Sequence, residues 1–266
     1  MPEFTEYTPG TFCWIDTGTT DADASKAFYT ALFGWEATDN ETPNGDIYTM
    51  YAKDGKTVAG GYGLPPMMRN MGVPSHWMSY ISVEDAAAAL GKISAAGGTP
   101  MGPPIPIPGA GTMGIFTDPT GATCAVWQAQ GHFGAALANE PGSLIWNELL
   151  TNDTDAAAAF YNSVFGWSHE TSEMPSGPYH LFKDGDEFRG GMMAITPEMG
   201  DIPPYWSVYL TVEDIDAAVA TVRELGGRVK GEIINPAGVG KMAVTADPTG
   251  AYFMMMEPMT DSAPPE

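Results

Sequence analysis

The stretch Ala-Phe-Tyr-Thr-Ala-Leu-Phe-Gly-Trp at residues 27–35 returns as Ala-Phe-Tyr-Asn-Ser-Val-Phe-Gly-Trp at residues 159–167. Six of these nine residues are identical, at a spacing of 132. Further out, Val-Glu-Asp at 83–85 returns at 212–214, and Asp-Pro-Thr-Gly-Ala at 118–122 returns at 247–251. Asp-Gly at 54–55 and Gly-Gly at 60–61 return at 184–185 and 190–191. Because the matches are collinear, they predict a duplicated domain of about 130 residues.

A length of 266 residues accommodates two domains of ordinary size. The segment between the two copies contains Gly131, Gly134, Pro141 and Gly142, a composition typical of a linker. We therefore predict a first domain at residues 1–130, a linker at 131–141 and a second domain at 142–258. The acidic, proline-containing end at 259–266 is predicted to be a flexible tail.

The order of elements within each half predicts the fold class. Ala24, Ala27, Phe28, Ala31 and Leu32 have the spacing of one buried helix face, after a cap at Thr20 or Asp21 and before Gly34. A second helix is predicted over residues 84–96. Strands are predicted near residues 11–16, 47–52, 57–62, 77–83, 113–116 and 123–128. Runs of strands with one helix each, twice per half, predict an α+β fold.

Composition excludes several classes of function. Lys and Arg number 11 against 33 Asp and Glu, a net charge of −22. A field of this sign repels nucleic acid and anionic membrane surfaces. No apolar run approaches the ~20 residues of a membrane helix, and the first ten residues lack the regions of a signal peptide. Two cysteines cannot build a disulfide framework. We expect a cytoplasmic protein.

The Ala-Phe-Tyr…Phe-Gly-Trp helix, the Val-Glu-Asp opening of the second helix and the Asp-Pro-Thr-Gly turn together resemble the vicinal oxygen chelate superfamily. That superfamily contains glyoxalase I, bleomycin resistance proteins and extradiol dioxygenases. The resemblance covers residues 9–257. It implies two tandem domains, each made of two βαβββ modules whose mixed sheet curls into a cup. In metal-dependent relatives, His or Glu side chains from four strands hold a divalent ion in the cup.

Counting from the shared motifs places those four ligand positions at Trp14, Gly60, Met78 and Ala125. Their repeats fall at Trp146, Gly190, Ser207 and Met254. Indole, thioether and methyl groups are not useful ligands for Zn²⁺, Ni²⁺ or Fe²⁺. We therefore expect no metal site of the family type and no cofactor, and the alternative is a divalent metal at shifted positions.

The residues predicted to line the cups are mostly aromatic or Met. The candidate ligand-binding residues are Trp14, Tyr62, Met78, Tyr80, Trp127, Trp146, His180, Tyr205, Tyr209 and Met254. Aromatic faces favour flat ligands, and an apolar lining with a few polar atoms is typical of small-molecule pockets. The alternative is that these side chains only fill a core.

Asp16 and Glu148 occupy the same repeat position, two residues beyond Trp14 and Trp146. An inward carboxyl group in an aromatic pocket has a raised pKa and can serve as an acid or a base. Asp16, Glu148 and His76 are the candidate catalytic residues, and the alternative is that the carboxylates cap a turn and His76 lies at an edge.

Three functions remain open on this basis. The first is binding of a hydrophobic, aromatic small molecule by a monomer or homodimer. The second is a glyoxalase-like lyase, an isomerase, or a hydroxylase or oxygenase. The third is an interaction protein whose pockets have closed.

Overall fold

The computed structural model describes residues 3–174, 177–236 and 238–259. Its first half contains nine strands and three helices within those residues. In chain order they are β1 (Phe12–Thr19), α1 (Ala22–Phe33), β2 (Glu36–Glu41), β3 (Ile47–Lys53), β4 (Lys56–Gly63), α2 (Pro66–Asn70), β5 (His76–Ser82), α3 (Ala86–Ala95), β6 (Thr99–Pro100), β7 (Ile105–Ile107), β8 (Gly111–Thr117) and β9 (Thr123–Ala129).

The second half repeats this order without counterparts of α2 and β7 in its described part. Its elements are β10 (Leu144–Thr151), α4 (Thr154–Phe165), β11 (Ser168–Met174), β12 (Gly177–Asp184), β13 (Glu187–Ala194), β14 (Tyr205–Thr211), α5 (Ile215–Glu224), β15 (Arg228–Ile234), β16 (Gly240–Ala246) and β17 (Tyr252–Pro258). A short 3-10 turn at Pro197–Met199 precedes β14.

Each half forms one mixed sheet with the same topology. The first has the strand order β2-β3-β4-β1-β5-β9-β8-β6, with β7 paired to β8. The second has the order β11-β12-β13-β10-β14-β17-β16-β15. In the first sheet, β1 pairs in parallel with β4 and antiparallel with β5. In the second sheet, β10 pairs in the same way with β13 and β14. The predicted α+β fold of two tandem domains is confirmed.

Helix boundaries follow the sequence signals. Asp21, Asp85, Asp153 and Asp214 each cap a helix, and each side chain accepts a hydrogen bond from the backbone N–H three residues later. Of the two caps predicted for α1, the structure uses Asp21. Gly34 ends α1 with φ +68°, a left-handed conformation that favours glycine.

The four long helices, α1, α3, α4 and α5, pack between the two sheets, and the core is shared by the two halves. One cluster joins Phe28, Tyr29 and Trp35 of the first half to Val208 and Phe253 of the second. A second cluster pairs the later strands of the first half with the early elements of the second half, including Trp167 and Trp206. Phe12, at the start of β1, packs against Trp167 and Trp206 in the second cluster. Each half therefore buries its inner sheet face and helices against the other.

The repeated motifs meet across this junction. Tyr161 of the second Ala-Phe-Tyr helix donates a hydrogen bond from its hydroxyl to Asp118 Oδ2 (3.1 Å) and accepts one from Trp206 Nε1 (2.7 Å). In the pseudo-symmetric position, Tyr29 accepts a hydrogen bond from Trp77 Nε1 at 2.9 Å. The motifs that carry the family resemblance therefore hold the two halves together, and they lie outside the cups.

The predicted linker, residues 131–141, packs along the first sheet. The backbone N–H groups of Ala135 and Ala136 donate to the carbonyl oxygens of Cys13 and Thr57, both at 2.8 Å. Most of the predicted tail, residues 260–266, lies outside the described residues. Within the described residues, no helix is long and apolar enough to cross a membrane.

Candidate functional site

Each sheet has one face that points away from the shared core, and we call it the cup face. In the first half, a separate cluster on this face contains Trp14, Met78, Tyr80, Ala125 and Trp127. Strand pairing places Asp16 opposite both Gly60 and Met78. Alternation along β1 puts Asp16 on the same face as Trp14. The carboxyl group therefore lies at the centre of the sheet, in the row that the resemblance assigns to metal ligands.

Two tyrosines hold the Asp16 carboxyl group. Oδ2 accepts hydrogen bonds from the hydroxyls of Tyr80 (2.8 Å) and Tyr48 (3.0 Å), and Tyr48 accepts one from Trp14 Nε1 (3.0 Å). Oδ1 is buried without a partner among the described residues. Burial raises the pKa of Asp16 to about 6, although the two tyrosine hydrogen bonds oppose the rise.

The second half repeats this network around Glu148. Its Oε1 accepts a hydrogen bond from the Tyr209 hydroxyl at 2.7 Å, and Trp146 Nε1 donates to the Tyr179 hydroxyl at 3.1 Å. Burial raises the pKa of Glu148, and hydrogen bonds from Tyr209 and Tyr179 oppose that shift. Both cups therefore contain a Trp that donates to one Tyr and a carboxyl group that accepts from another.

Two glycines make room for these networks. A Cβ atom on Gly60 would overlap the Tyr48 hydroxyl, and one on Gly191 would overlap the Tyr179 hydroxyl. Gly191 pairs with Glu148 as Gly60 pairs with Asp16. The structural repeat of Gly60 is therefore Gly191, and the predicted repeat at Gly190 is wrong by one residue. The reason is that the first hairpin turns at Asp54-Gly55, whereas the second turns one position later in the repeated motif, at Gly185-Asp186. The backbone around Gly190 faces Asn147, Trp206 and Phe12 on the inner side.

Replacing Gly191 with alanine is expected to lower the free energy of unfolding by about 1–3 kcal/mol, because Tyr179 must leave its place between Trp146 and Glu148. Urea unfolding and near-UV circular dichroism measure this effect. Gly91→Ala is the matched control, since Gly91 lies in α3 with open space around it. That control is expected to gain about 0.5–1 kcal/mol. A Gly191→Ala protein as stable as wild type, with an unchanged spectrum, would contradict the prediction.

Most of the predicted lining residues lie on the cup faces. Tyr62 pairs with Tyr48 and Gly18, Tyr209 pairs with Trp146 and Met254, and Tyr205 pairs with Leu150 at the next position beyond Glu148. His76 lies at the rim of the first cup opposite Gly18, and its Nδ1 is 2.9 Å from the carbonyl oxygen of Pro74. The structure does not connect His76 to Asp16 by a hydrogen bond.

The prediction that His180 lines the second cup is wrong. It alternates with Tyr179 along β12, so its side chain lies on the opposite face, where Nδ1 is 2.9 Å from Thr171 Oγ1 and the ring is 5.5 Å from that of His169. The sequence analysis did not identify Tyr48 and Tyr179, which accept the indole hydrogen bonds of Trp14 and Trp146. A Tyr at comparable distance before the Gly-Gly pair in each half is the signal that could have found them.

The two cups differ in how far they are covered. Residues 130–138, which we call the strap, fold over one side of the first cup. His132 of the strap lies edge-on to Trp14 with ring centroids 4.5 Å apart, and its carbonyl oxygen accepts a hydrogen bond from Trp127 Nε1 at 2.8 Å. Burial lowers the pKa of His132 to about 4.

The consequence of the strap is visible in side-chain exposure. Trp14 and Trp127 are 4% and 6% exposed. In the second cup the equivalent Trp146 and Met256 are partly exposed, whereas the tyrosines Tyr48 and Tyr179 are partly exposed in both cups. Two surface depressions of about 230 and 290 Å³ lie at the junction of the halves and not on either cup face. Among the described residues, the second cup is therefore the more accessible aromatic surface.

The donor set does not fit a transition metal of the family type. Each cup supplies one carboxylate, and its other polar groups include tyrosine hydroxyls and indole N–H groups, with the His132 imidazole against Trp14 in the first cup and Ser207 opposite Glu148 in the second. Zn²⁺, Fe²⁺ and Ni²⁺ need several imidazole, carboxylate or thiolate ligands at one point. Within the described part of the chain, no three His, Cys, Asp or Glu side chains converge in this way.

Two curated relatives match nearly the whole chain. CFP32 of Mycobacterium tuberculosis (strain CDC 1551 / Oshkosh), whose name describes a candidate glyoxylase, is 44% identical over 260 residues, 97% of this chain and 98% of that protein. The anthracycline biosynthesis protein DnrV of Streptomyces peucetius is 35% identical over 265 residues, 95% of each chain.

Solved structures share the fold at low identity. The Mn(II)-bound glyoxalase from Novosphingobium aromaticivorans has a TM-score of 0.63 at 15% identity, covering 94% of this chain and 83% of that one. The 2,2',3-trihydroxybiphenyl 1,2-dioxygenase from Sphingomonas wittichii strain RW1 has a TM-score of 0.64 at 14% identity, covering 94% and 90%.

Family models match both halves of the chain. Residues 12–126 match the Glyoxalase/Bleomycin resistance protein/Dioxygenase superfamily, and residues 147–256 match the Glyoxalase-like domain. Together with the two relatives of nearly equal length, these matches confirm the resemblance that the repeated motifs indicated. The chain belongs to the Glyoxalase/Bleomycin resistance protein/Dioxygenase superfamily, as a tandem pair of its domains.

Proposed function

We propose that this chain binds a flat aromatic small molecule in its second cup. The observation that carries the proposal is the Trp146–Tyr179–Glu148–Tyr209 network on a cup face where Trp146 and Tyr179 are partly exposed. The equivalent network of the first cup lies beside the strap, with Trp14 buried. The tryptophan of this network is therefore accessible in the second half and covered in the first.

The chemistry of this surface supports a flat ligand. Trp146, Tyr179 and Tyr205 offer aromatic faces, and Met242, Met254 and Met256 adapt to irregular outlines. Glu148 provides a fixed acceptor that orients a donor group of the ligand. One relative is named an anthracycline biosynthesis protein, and anthracyclines contain fused aromatic rings. That name agrees with an aromatic ligand class for this chain.

Titration with N-phenyl-1-naphthylamine, whose fluorescence rises in apolar surroundings, tests the proposal. Replacing Trp146 with leucine is expected to weaken probe binding about tenfold, because the stacking face is lost. Trp14→Leu is the matched control, since it removes the same residue type at the same repeat position in the covered cup. Its affinity for the probe is expected to stay within twofold of wild type. Equal losses in both variants, or no binding by wild type, would refute the proposal.

A second candidate function is proton transfer by a buried carboxyl group. It is favoured by the raised pKa values of Asp16 and Glu148, because an acid–base group works best near neutrality. In this mechanism the Glu148 carboxylate removes a proton from the substrate carbon atom adjacent to a carbonyl group. Exchange of such protons in 2-hydroxyacetophenone with D₂O, followed by NMR, tests it. Exchange that is no faster with wild type than with Glu148→Gln would eliminate this candidate.

A further inference from the structure

Both cups bury a carboxyl group that has no cationic partner. Asp16 and Glu148 are 2% and 7% exposed. Across residues 3–174, 177–236 and 238–259, the ion pairs between side chains involve neither of them, so no Lys, Arg or His nitrogen lies within 4.0 Å. Among the described residues, the side chains that donate hydrogen bonds to these carboxyl groups are tyrosines, whose hydroxyls carry no charge.

A buried carboxylate without a counter-charge is costly, and proteins normally pair it. Tyrosine hydroxyls reduce the cost, yet burial still dominates at both positions, as the raised pKa values show. Asparagine or glutamine would accept the same hydrogen bonds without the penalty of burying a charge. The presence of a carboxyl group in both halves therefore indicates a use for its negative charge.

The surroundings of Glu148 suit a cation of one kind. Tyr209 and Tyr179 bring their rings beside the carboxyl group, and Trp146 adjoins Tyr179. Ring faces attract ammonium groups through their quadrupole, with tryptophan the strongest. The chain's net charge of −22 further favours cationic ligands over anionic ones. A transition metal, by contrast, would find only one strong ligand there.

We infer that the ligand of the second cup carries a protonated amine, which pairs with Glu148 while its aromatic ring stacks on Trp146. This inference rests on the proposed function and adds the charge class of the ligand. The ammonium group supplies the donors and the positive charge that the carboxylate lacks. The ring occupies the partly exposed aromatic surface beside it.

A matched pair of probes tests the charge class. 2-Naphthylmethylamine is protonated at pH 7.5, and 2-naphthylmethanol is its neutral counterpart of the same shape. Both are titrated by calorimetry at 150 mM NaCl, which screens the overall field of the protein. Wild type is expected to bind the amine about tenfold more tightly than the alcohol. Glu148→Gln is expected to remove that preference, because the variant loses the negative charge that pairs with the ammonium group but keeps an oxygen that can accept a hydrogen bond from either probe.

Asp16→Asn is the matched control, because it removes the equivalent charge from the covered cup and is expected to keep the preference for the amine. Equal binding of amine and alcohol by wild type would overturn the ammonium inference and leave the proposed function standing. A preference that survives Glu148→Gln would also overturn it, by assigning the effect to Asp16 or to the net charge. If neither probe binds, the proposed function fails together with the inference. Near-UV circular dichroism verifies that each variant is folded.

Discussion

Replacing Asp118 with alanine is expected to lower the free energy of unfolding by about 3–5 kcal/mol, the largest stability effect of any substitution considered for this chain. Asp118 is 3% exposed. Its Oδ1 accepts hydrogen bonds from the backbone N–H groups of Thr120, Gly121 and Ala122 and from the Thr120 hydroxyl, while Oδ2 accepts one from Tyr161. Alanine leaves five donors without this acceptor, and one of them belongs to the other half of the molecule.

Urea unfolding followed by circular dichroism measures this loss. Asp85→Ala is the matched control, because Asp85 also accepts a backbone hydrogen bond but is an exposed helix cap with one such partner, Ala88. Its expected cost is about 1 kcal/mol. Tyr161→Phe removes the bond to Asp118 and also leaves Trp206 Nε1 without its acceptor, and its cost is expected to fall between the two. A cost for Asp118→Ala no greater than that for Asp85→Ala would show that the turn does not join the halves energetically.

Replacing Asp16 with asparagine is expected to stabilise the protein by about 3 kcal/mol above pH 7, with the gain disappearing below pH 4. The pKa of Asp16 rises from 3.8 to about 6 because of its burial. Each unit of difference corresponds to about 1.4 kcal/mol. Since the folded protein holds the proton more tightly than the unfolded chain, the contribution of Asp16 to stability is complete below pH 3.8. It is lost as the pH rises towards 6 and beyond.

The measurement is the difference in unfolding free energy between Asp16→Asn and wild type at intervals from pH 4 to pH 8. Taking the difference cancels the titration of the other carboxyl groups, which both proteins share. The difference is expected to grow in favour of the variant between pH 4 and pH 7 and then to level off. A difference that is constant across this range, or that favours wild type at pH 8, would contradict a raised pKa at Asp16.

The two buried aspartates Asp118 and Asp16 differ in the number of hydrogen-bond donors around them. Asp118 is surrounded by donors and stabilises the junction of the halves. Asp16 has two tyrosine donors and one buried oxygen without a partner among the described residues. Burial raises the pKa of Asp16 and of its counterpart Glu148 in the second half, and raised carboxyl pKa values of this kind cluster at functional sites.

The sequence predicted the elements that have a buried face and missed those that do not. Each predicted strand and both long helices of the first half are present within a few residues of their expected bounds. The edge strands β2 and β11 were missed, because Glu-Ala-Thr-Asp-Asn-Glu and Ser-His-Glu-Thr-Ser-Glu-Met are exposed along almost their whole length. Their strand conformation comes from backbone pairing with β3 and β12 rather than from an apolar pattern.

The cup was predicted in part. Trp14, Asp16 and Tyr80, and their counterparts Trp146, Glu148 and Tyr209, were identified because the strands alternate regularly from Trp14 and Trp146 onward, beyond an irregularity at the start of β1 and of β10. The contribution of β12 was assigned to His180 instead of Tyr179. The first hairpin turns at Asp54-Gly55 and the second at Gly185-Asp186, so relative to the repeated Asp-Gly pair the register differs by one residue between the halves. Such a shift moves every side chain of the strand to the other face, and a residue count cannot detect it.

The sequence by itself determined the duplication, the α+β class, the family and the aromatic character of the cups, because these depend on local patterns that recur at a fixed spacing. Only the tertiary structure decided which half has the more exposed tryptophan on its cup face. That difference arises from the strap, where His132 packs against Trp14 and Trp127 across a turn that no periodic pattern encodes. The structure also decided that the repeated motifs join the halves, since the hydrogen bond between Tyr161 and Asp118 connects residues 43 positions apart. Contacts of this kind depend on the packing of whole sheets, which the linear order of residues does not display.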